Sequence, residues 1–535
     1  MLYLVASCIA LLFGPLFYRY FSSGSGLQKG LDGFIFVSLG GLVLIHILPE
    51  LLEHGGFVTL LFVVLGLWGP TASEKVFHRY SEITHNITLG LGILGLLLHT
   101  ITDGGAMVLA QQQDNSPLLA LGVILHRLPV GLAIWWLLKP QVGTRWSSIV
   151  LVAMMALTAV GYFAGEQLIH QLSIENTVYL QAFVTGSILH VVLHQPHGDH
   201  TPDKQDKYQY QAGIGSLLGL GLLALLLLMD SGEHAHAHHG HDHGVEQFVS
   251  WLLTISPVLL LSYLFATIRF KFGLQPQHNQ LASRWLQRLA GPESLIITLA
   301  LLGPWFALYQ VVGLTIIGGL LTWCKIPLTD PHHHVPVSAW RFGFAHLVDR
   351  SAPWIILSLV LANLIGHPSV PLENPALQVF ILLLVFIPMR FCNLGAAVLA
   401  LALFYSGWNQ VAVAFSLLAA PVINIAQLKL MKWKQGLMLG GVLLGAFIFA
   451  DLVDLTSSFV LRLPESINIF ALGIVCLLFG ASLLRLGPRK FLSKMMSQFK
   501  SEHSHDHGHS HNHNNHNKNQ SHAHNHSGSV HKPHK

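Results

Sequence analysis

Four apolar stretches of the chain carry histidine, and in three of them a second ligand-type residue follows at i+4. His46 and Glu50 stand in HILPELLEHGG, His99 and Asp103 in LLLHTITDGGAMVLA, and His190 and His194 in GSILHVVLHQPHGDH. His126 stands alone in LHRLPVGLA. Residues four apart share one face of an α-helix, so each pair can hold a cation from one side. Imidazole with carboxylate suits zinc and similar first-row ions. The plainer reading of a single membrane histidine is an interhelix hydrogen bond or a packing contact. Four separate histidine-bearing helices favour a metal path.

The elements that must position these groups follow from composition. Hydrophobic residues make up 52 % of 535 and DEKR only 10 %, at a mean hydropathy of +0.54. Soluble domains carry about 25 % charged residues, so a soluble enzyme is excluded. A formal charge of +4 gives no reason to expect nucleic acid. The four cysteines, Cys8, Cys324, Cys392 and Cys476, lie far apart with no CxxC pair, which excludes a disulfide framework. The expected fold is an all-α polytopic membrane protein.

The apolar N-terminal run has no basic n-region and reads as a first span, not a signal peptide. Further apolar segments near 31–49, 56–73, 86–110, 117–138, 147–169, 177–194 and 213–229 predict eight spans in a domain of residues 1–230. Lys and Arg alternate between the connections: Arg19 and Lys29, Lys75 and Arg79, Lys139 and Arg145, Lys204 and Lys207 mark the odd loops. The positive-inside rule makes those loops cytoplasmic and places the N-terminus and the segment after residue 230 outside. A histidine-rich linker, 231–246, precedes a second bundle of about seven spans over 247–488, with apolar segments near 247–268, 293–323, 351–366, 377–406, 408–428, 435–455 and 466–487. A histidine-rich tail, 489–535, closes the chain; its part from 503 to 534 is too polar to build a core.

The second bundle contains an internal repeat. SPVLLLSYLFATI (256–268) aligns with APWIILSLVLANL (352–364), pairing Pro257 with Pro353 and Ser262 with Ser358. LAGPESLI (289–296) aligns with LAAPVINI (418–425), pairing Pro292 with Pro421. The offset grows between the two anchors, so the first copy lacks a counterpart to the region around 377–409. Duplicated units with Pro-broken helices are common in secondary transporters. Apolar helices also align by chance.

Residues 1–230 resemble the ZIP family of zinc and iron transporters, which implies eight spans with both ends outside. HILPELLEH resembles the family's second-span His–Leu–Pro–Glu motif, and SEKVFH (73–78) the end of its third span. HTITDG (99–104) is similar to its fourth-span His–Asn–x–x–Asp–Gly, and HRLPVG (126–131) to its fifth-span His–Glu–x–Pro–Glu/His–Gly. The fourth and fifth spans of the family build a paired metal centre. Here His99, Asp103 and His126 match, but Thr100 replaces the Asn, and Arg127 and Val130 replace two Glu. The departures leave two readings. One ion survives on His99, Asp103 and His126, with Arg127 as a fixed charge in place of the second metal and paired with Asp103. Otherwise Arg127–Asp103 is a structural ion pair and the centre is inactive.

Residues 247–487 resemble, over fewer positions, a family of bacterial permeases linked to metal or metalloid export, through APWIILSLVLANLIG, FCNLGAAVLALALFYSG and VAVAFSLLAAPVIN. The resemblance puts Cys392 on the family's Cys–Gly motif and Asn424 on its Pro–x–x–Asn. A membrane thiolate can bind soft ions; a buried Cys is otherwise a small packing residue. Asn424 either caps a broken helix or offers an amide to an ion.

Together these features give the expectation of a secondary transporter for a divalent transition metal, zinc foremost, in a bacterial inner membrane, with homo-oligomers possible and no organic cofactor. The alternative is a metal-binding scaffold or sensor derived from a transporter that has lost flux. An enzyme is not expected, since HExxH and GxSxG are absent, and no Walker A pattern supports ATP-driven pumping. The tail holds twelve histidines between 503 and 534. Deleting 503–535 is expected to remove most weak zinc binding in calorimetry at neutral pH, and binding by the intact chain should fall near pH 6 as imidazoles protonate.

Overall fold

The computed structural model describes residues 1–20, 26–76, 117–171, 174–193, 209–231, 243–274, 281–289, 291–327, 338–366, 374–453 and 463–496, together with residue 90 and most residues between 93 and 107. Among them the structure is helical and contains no strand. Seven helices are long and apolar enough to cross a membrane, consistent with an all-α membrane protein. The linker residues 232–242 and the tail from 497 onward lie outside the described residues.

In the first bundle α1 (Leu2–Tyr20) packs against α4 (Pro117–Gln171). The second helix, α2 (Gly26–Leu42), lies along α6 (Gln209–Ser231), and α3 (Leu48–Val76) along α5 (Ile174–Leu193). Glycines make these contacts close: a Cβ on Gly14 would meet the Gly131 carbonyl, and one on Gly66 the Phe183 carbonyl. Small residues of this kind take the place of hydrophobic driving force between helices in lipid. The two spans expected at 117–138 and 147–169 both lie within α4, where Gly143 (φ 79°) lets the chain turn between them.

The second bundle begins with α7 (His243–Lys271) and the short α8 (Leu281–Leu289). Residues 293–323, expected as one apolar segment, are divided. The first part is α9 (Pro292–Ile297) continued by a π-helical turn, Thr298–Leu302; the second is α10 (Pro304–Trp323). Gly303 (φ 103°) adopts backbone angles that other residues rarely reach, and Pro304 then starts the next helix. After α11 (Leu347–Gly366), the expected spans at 377–406 and 408–428 become α12 (Pro375–Phe386), α13 (Asn393–Tyr405) and α14 (Gln410–Ala419). With 12, 13 and 10 residues, each is shorter than the roughly 20 residues a crossing requires. Residues 394–403 and 411–419 are buried without interruption, so α13 and α14 are enclosed by protein, whereas α12 exposes Leu377, Phe380 and Leu384. The Ile425 amide donates to the Ile387 carbonyl at 2.8 Å and ties the break after α12 to the one after α14.

Next come α15 (Ile425–Lys429), α16 (Trp433–Leu452) and α17 (Glu465–Met496). Residues 489–496, expected in the tail, are the last turns of α17 beyond a kink at Gly487 and Pro488. They are helical because they have a partner surface. Arg489 makes a bidentate pair with Asp32 of α2, at 2.9 and 2.7 Å, donates to the Val192 carbonyl of α5 at 3.3 Å, and lies over the Phe36 ring. The Gln209 side chain donates to the Leu486 carbonyl beside it. Within the second bundle Arg485 pairs with Asp349 in the same two-pronged way, and Arg269 pairs with Glu293.

Ser262 and Ser358, matched by the repeat alignment, make duplicate contacts. Each hydroxyl lies within hydrogen-bond reach of its own i−4 carbonyl and of a first-turn carbonyl in a short buried helix, Glu293 of α9 at 3.0 Å and Gly395 of α13 at 2.8 Å. The second anchor behaves differently. Pro292 opens a helix, whereas Pro421 lies in the turn that follows α14.

Arg489 is the main polar tie between the bundles, and its half-buried bidentate geometry predicts a measurable cost on removal. Arg489→Ala should lower stability in detergent by about 1–3 kcal/mol. Arg489→Lys should recover little of it, because an ammonium cannot make the two-pronged contact. Thermal unfolding of the full chain checks both.

Candidate functional site

Of the sequence-derived ligand residues, His99, Asp103 and Arg127 are brought together. Arg127, on α4, is 1 % exposed, and Asp103, within the helical residues of 93–107, is 7 % exposed. The approach of that segment to the second half of α4 depends on two glycines. A Cβ on Gly104 would meet the Thr158 carbonyl, and one on Gly161 the Ile101 carbonyl. The backbones therefore touch, and Thr158 reaches the space where Arg127 ends.

The guanidinium is held on several sides. One terminal nitrogen donates to Thr158 Oγ1 at 2.7 Å, and that hydroxyl donates onward to the Met154 carbonyl at 2.8 Å. The other lies 2.9 Å from Asp103 Oδ2 and donates to the Thr100 carbonyl at 3.3 Å. Arg127 Nε has no hydrogen-bond partner among the described residues. The buried cation is thus neutralised by one carboxylate and oriented by three oxygens on two segments, as a charge in apolar surroundings must be.

The second carboxylate oxygen faces the other way. Asp103 Oδ1 lies 3.5 Å from His99 Nε2, and the His99 side chain is 39 % exposed against 10 % for Asp103. The two oxygens of one carboxylate therefore have different roles: Oδ2 serves the guanidinium and Oδ1 stands beside an imidazole. Two ligands bound at 2.0–2.1 Å to one tetrahedral zinc stand about 3.3 Å apart. The His99–Asp103 separation is close to that spacing, and beyond the range of a good hydrogen bond.

The other expected ligands lie outside the described residues or have partners elsewhere. The side chains of His126, His46 and Glu50, and all of His194, lie outside the described residues. The backbone at His46 is nonetheless informative. It falls in a π-helical turn, Val43–Ile47, so the spacing that places i and i+4 on one face of a regular α-helix does not hold there. His190 is buried, with Nδ1 2.9 Å from the Leu67 carbonyl of α3, so Nδ1 carries the proton and the ring joins α5 to α3. Cys392 caps α13: its Sγ accepts from the Gly395 amide at 3.3 Å, between the Trp354 and Phe391 side of the core and Ser358. Capping accounts for its position without an ion. Asn424 likewise caps α15, accepting from the Gln427 amide at 2.8 Å. Among the described residues no group of three His, Cys, Asp or Glu side chains is arranged to hold a metal.

Thr158 was not legible as a site residue. It lies 31 positions from Arg127, and the sequence signal was only the small-residue run Thr158-Ala159-Val160-Gly161 opposite Asp103-Gly104. No protein-family model, curated protein or solved structure matches the chain.

Thr158→Val keeps the side-chain shape and removes the hydroxyl. It leaves an arginine donor unpaired at a buried position and should cost about 1–3 kcal/mol, read as a lower unfolding temperature. Thr158→Ser should keep most of the stability.

Proposed function

We propose that the protein carries a divalent transition metal, zinc foremost, across a bacterial inner membrane by a secondary mechanism. The ion binds singly beside Asp103, with His99 and Asp103 Oδ1 as ligands and His126 as the third. Arg127 stands where related centres would hold a second cation, and its fixed charge neutralises the other face of the carboxylate. The observation that carries this reading is the 3.5 Å spacing of His99 Nε2 and Asp103 Oδ1 while Oδ2 is engaged by Arg127. The resemblance of residues 1–230 to the ZIP family supports it, as do the histidine-rich segments at 231–246 and 503–534, which would gather the substrate.

In this reading the second bundle is permease-like, and the duplicate serine contacts of Ser262 and Ser358 support a repeat within it. These contacts match the start of α13, inside the region expected to lack a counterpart, to the start of α9, in place of the Pro292–Pro421 pairing. Cys392 acts there as a cap. The chain is thus two bundles, of which the first carries the metal chemistry.

A second reading, a metal-binding scaffold without flux, is favoured by one observation. Arg127 is fully buried and its contacts bind Thr100, Asp103 and Thr158 into one unit.

The two readings separate in proteoliposomes. With 231–246 and 503–535 deleted to remove background, transport predicts zinc uptake above empty vesicles, abolished by His99→Ala. Arg127→Glu replaces the fixed cation with a ligand and should raise divalent-metal affinity at least tenfold, a gain of about 1.4 kcal/mol. His99→Ala in that background should remove the gain. Metal binding without uptake supports the scaffold, and unchanged affinity in Arg127→Glu overturns the single-ion site.

A further inference from the structure

Three segments of the second bundle meet at one end and bring only positive charge there. The loop after α10, residues 324–327, is fixed by three side chains from elsewhere. Trp285 of α8 donates to the Ile326 carbonyl at 3.1 Å, Gln427 of α15 to the Pro327 carbonyl at 3.0 Å, and Gln435 of α16 to the Cys324 carbonyl at 3.1 Å. Gln435 also accepts from the Lys432 amide at 2.8 Å. Beside these anchor points stand Arg284 and Arg288, Lys325, and Lys429, Lys432 and Lys434. Segments 281–289, 324–327 and 425–436 contain no Asp or Glu, and the nearby Glu293 is paired with Arg269.

The same end marks a membrane surface. Two candidate spans, Pro304–Trp323 and Trp433–Leu452, stop at tryptophans, and both rings are exposed. Exposed Trp at the end of a span is the usual occupant of the headgroup level. Lys325, Lys429, Lys432 and Lys434 are exposed beside them, and Lys434 Nζ lies 5.8 Å from the Trp433 ring. α8 is anchored beside this patch by its apolar side, with Trp285 and Leu289 buried.

Lys325 has the one unusual backbone among described residues other than glycine, with φ of 54°. It stands at the end of α10, where the Ile326 amide returns to the Leu321 carbonyl and closes the helix. Glycine is the usual residue there, because a Cβ is strained in the left-handed region. The chain accepts a Cβ where the backbone favours glycine, and so places an exposed ammonium at this end of α10.

We propose that this patch is a binding site for the headgroup of an anionic phospholipid. Its phosphate lies among Lys325, Lys432 and Lys434, its acyl chains run beside Trp323 and Trp433, and the lipid bridges α10 to α16. The fit is one of charge and depth: a cluster of cations, without acids in its described segments and held by hydrogen-bonded anchors, at the level where phosphates lie.

The test uses the full chain in detergent, titrated with phosphatidylglycerol, with phosphatidylcholine or with inorganic phosphate, and read by native mass spectrometry and thermal unfolding. Phosphatidylglycerol should be retained and should raise the unfolding temperature; the other two should do neither. Each lysine removed should cost about fivefold in affinity, so Lys325→Gly/Lys432→Gln/Lys434→Gln should lose roughly 100-fold. Lys325→Gly alone separates binding from structure. If the lysine only complements the end of α10, the variant is less stable; if it serves the lipid, the variant is at least as stable as the parent yet binds less phosphatidylglycerol. Should Lys325→Gly not fold, Lys432→Gln/Lys434→Gln decides through its own expected loss of about 25-fold. Undiminished phosphatidylglycerol binding by the variants, equal retention of phosphatidylcholine, or equal stabilisation by inorganic phosphate would overturn the proposal.

Discussion

An ionised side chain inside an apolar bundle has no water to solvate it, so it must bring its partner from another helix or remain costly. Much of the architecture follows from where those partners are. Asp103 and Arg127 join the 93–107 segment to α4; Arg269 and Glu293 join α7 to α9; Arg485 and Asp349 join α17 to α11; Arg489 and Asp32 join the two bundles. Charged residues are scarce in this chain, and these are spent on interhelix pairs. Each pair fixes a register that dispersion contacts between leucine-rich helices would leave degenerate.

The backbone obeys the same constraint. Where helices break at Gly303, after Phe386 and after Ala419, amides and carbonyls lose their helical partners, and lipid offers none. The chain places those breaks within protein. Caps from Asn374, Cys392, Asn409 and Asn424 accept first-turn amides, Gln378 Oε1 accepts from the Asn409 amide, and the Ile425 amide donates to the Ile387 carbonyl. Half-length helices α13 and α14 are tolerated only because full-length neighbours surround them.

At the candidate site the constraint acts on a single carboxylate. Arg127 takes Oδ2 and makes Asp103 tolerable in the interior, while Oδ1 remains beside His99. The close backbone contact at Gly104 and Gly161 restrains motion between the 93–107 segment and α4.

The sequence by itself determined the helical, membrane-type class, because 52 % apolar residues with 10 % charged ones leave too little polar surface for anything soluble. Through the resemblance of residues 99–104 and 126–131 to known motifs it also led to the expectation that Arg127 pairs with Asp103, and it equated Ser262 with Ser358. Only the tertiary structure decided which apolar runs are spans. Mean hydropathy is the same for a helix facing lipid and one enclosed by other helices, so α12, α13 and α14 read as longer segments until their breaks and burial were seen. Nor could local pattern show that Cys392 caps a helix, that His190 bonds Leu67, that a π-helical turn runs through His46, or that Thr158 and Arg489 complete contacts begun 31 and 457 positions away. Hydropathy and periodicity report a residue's tendency to leave water; which partner it meets there depends on how distant helices pack.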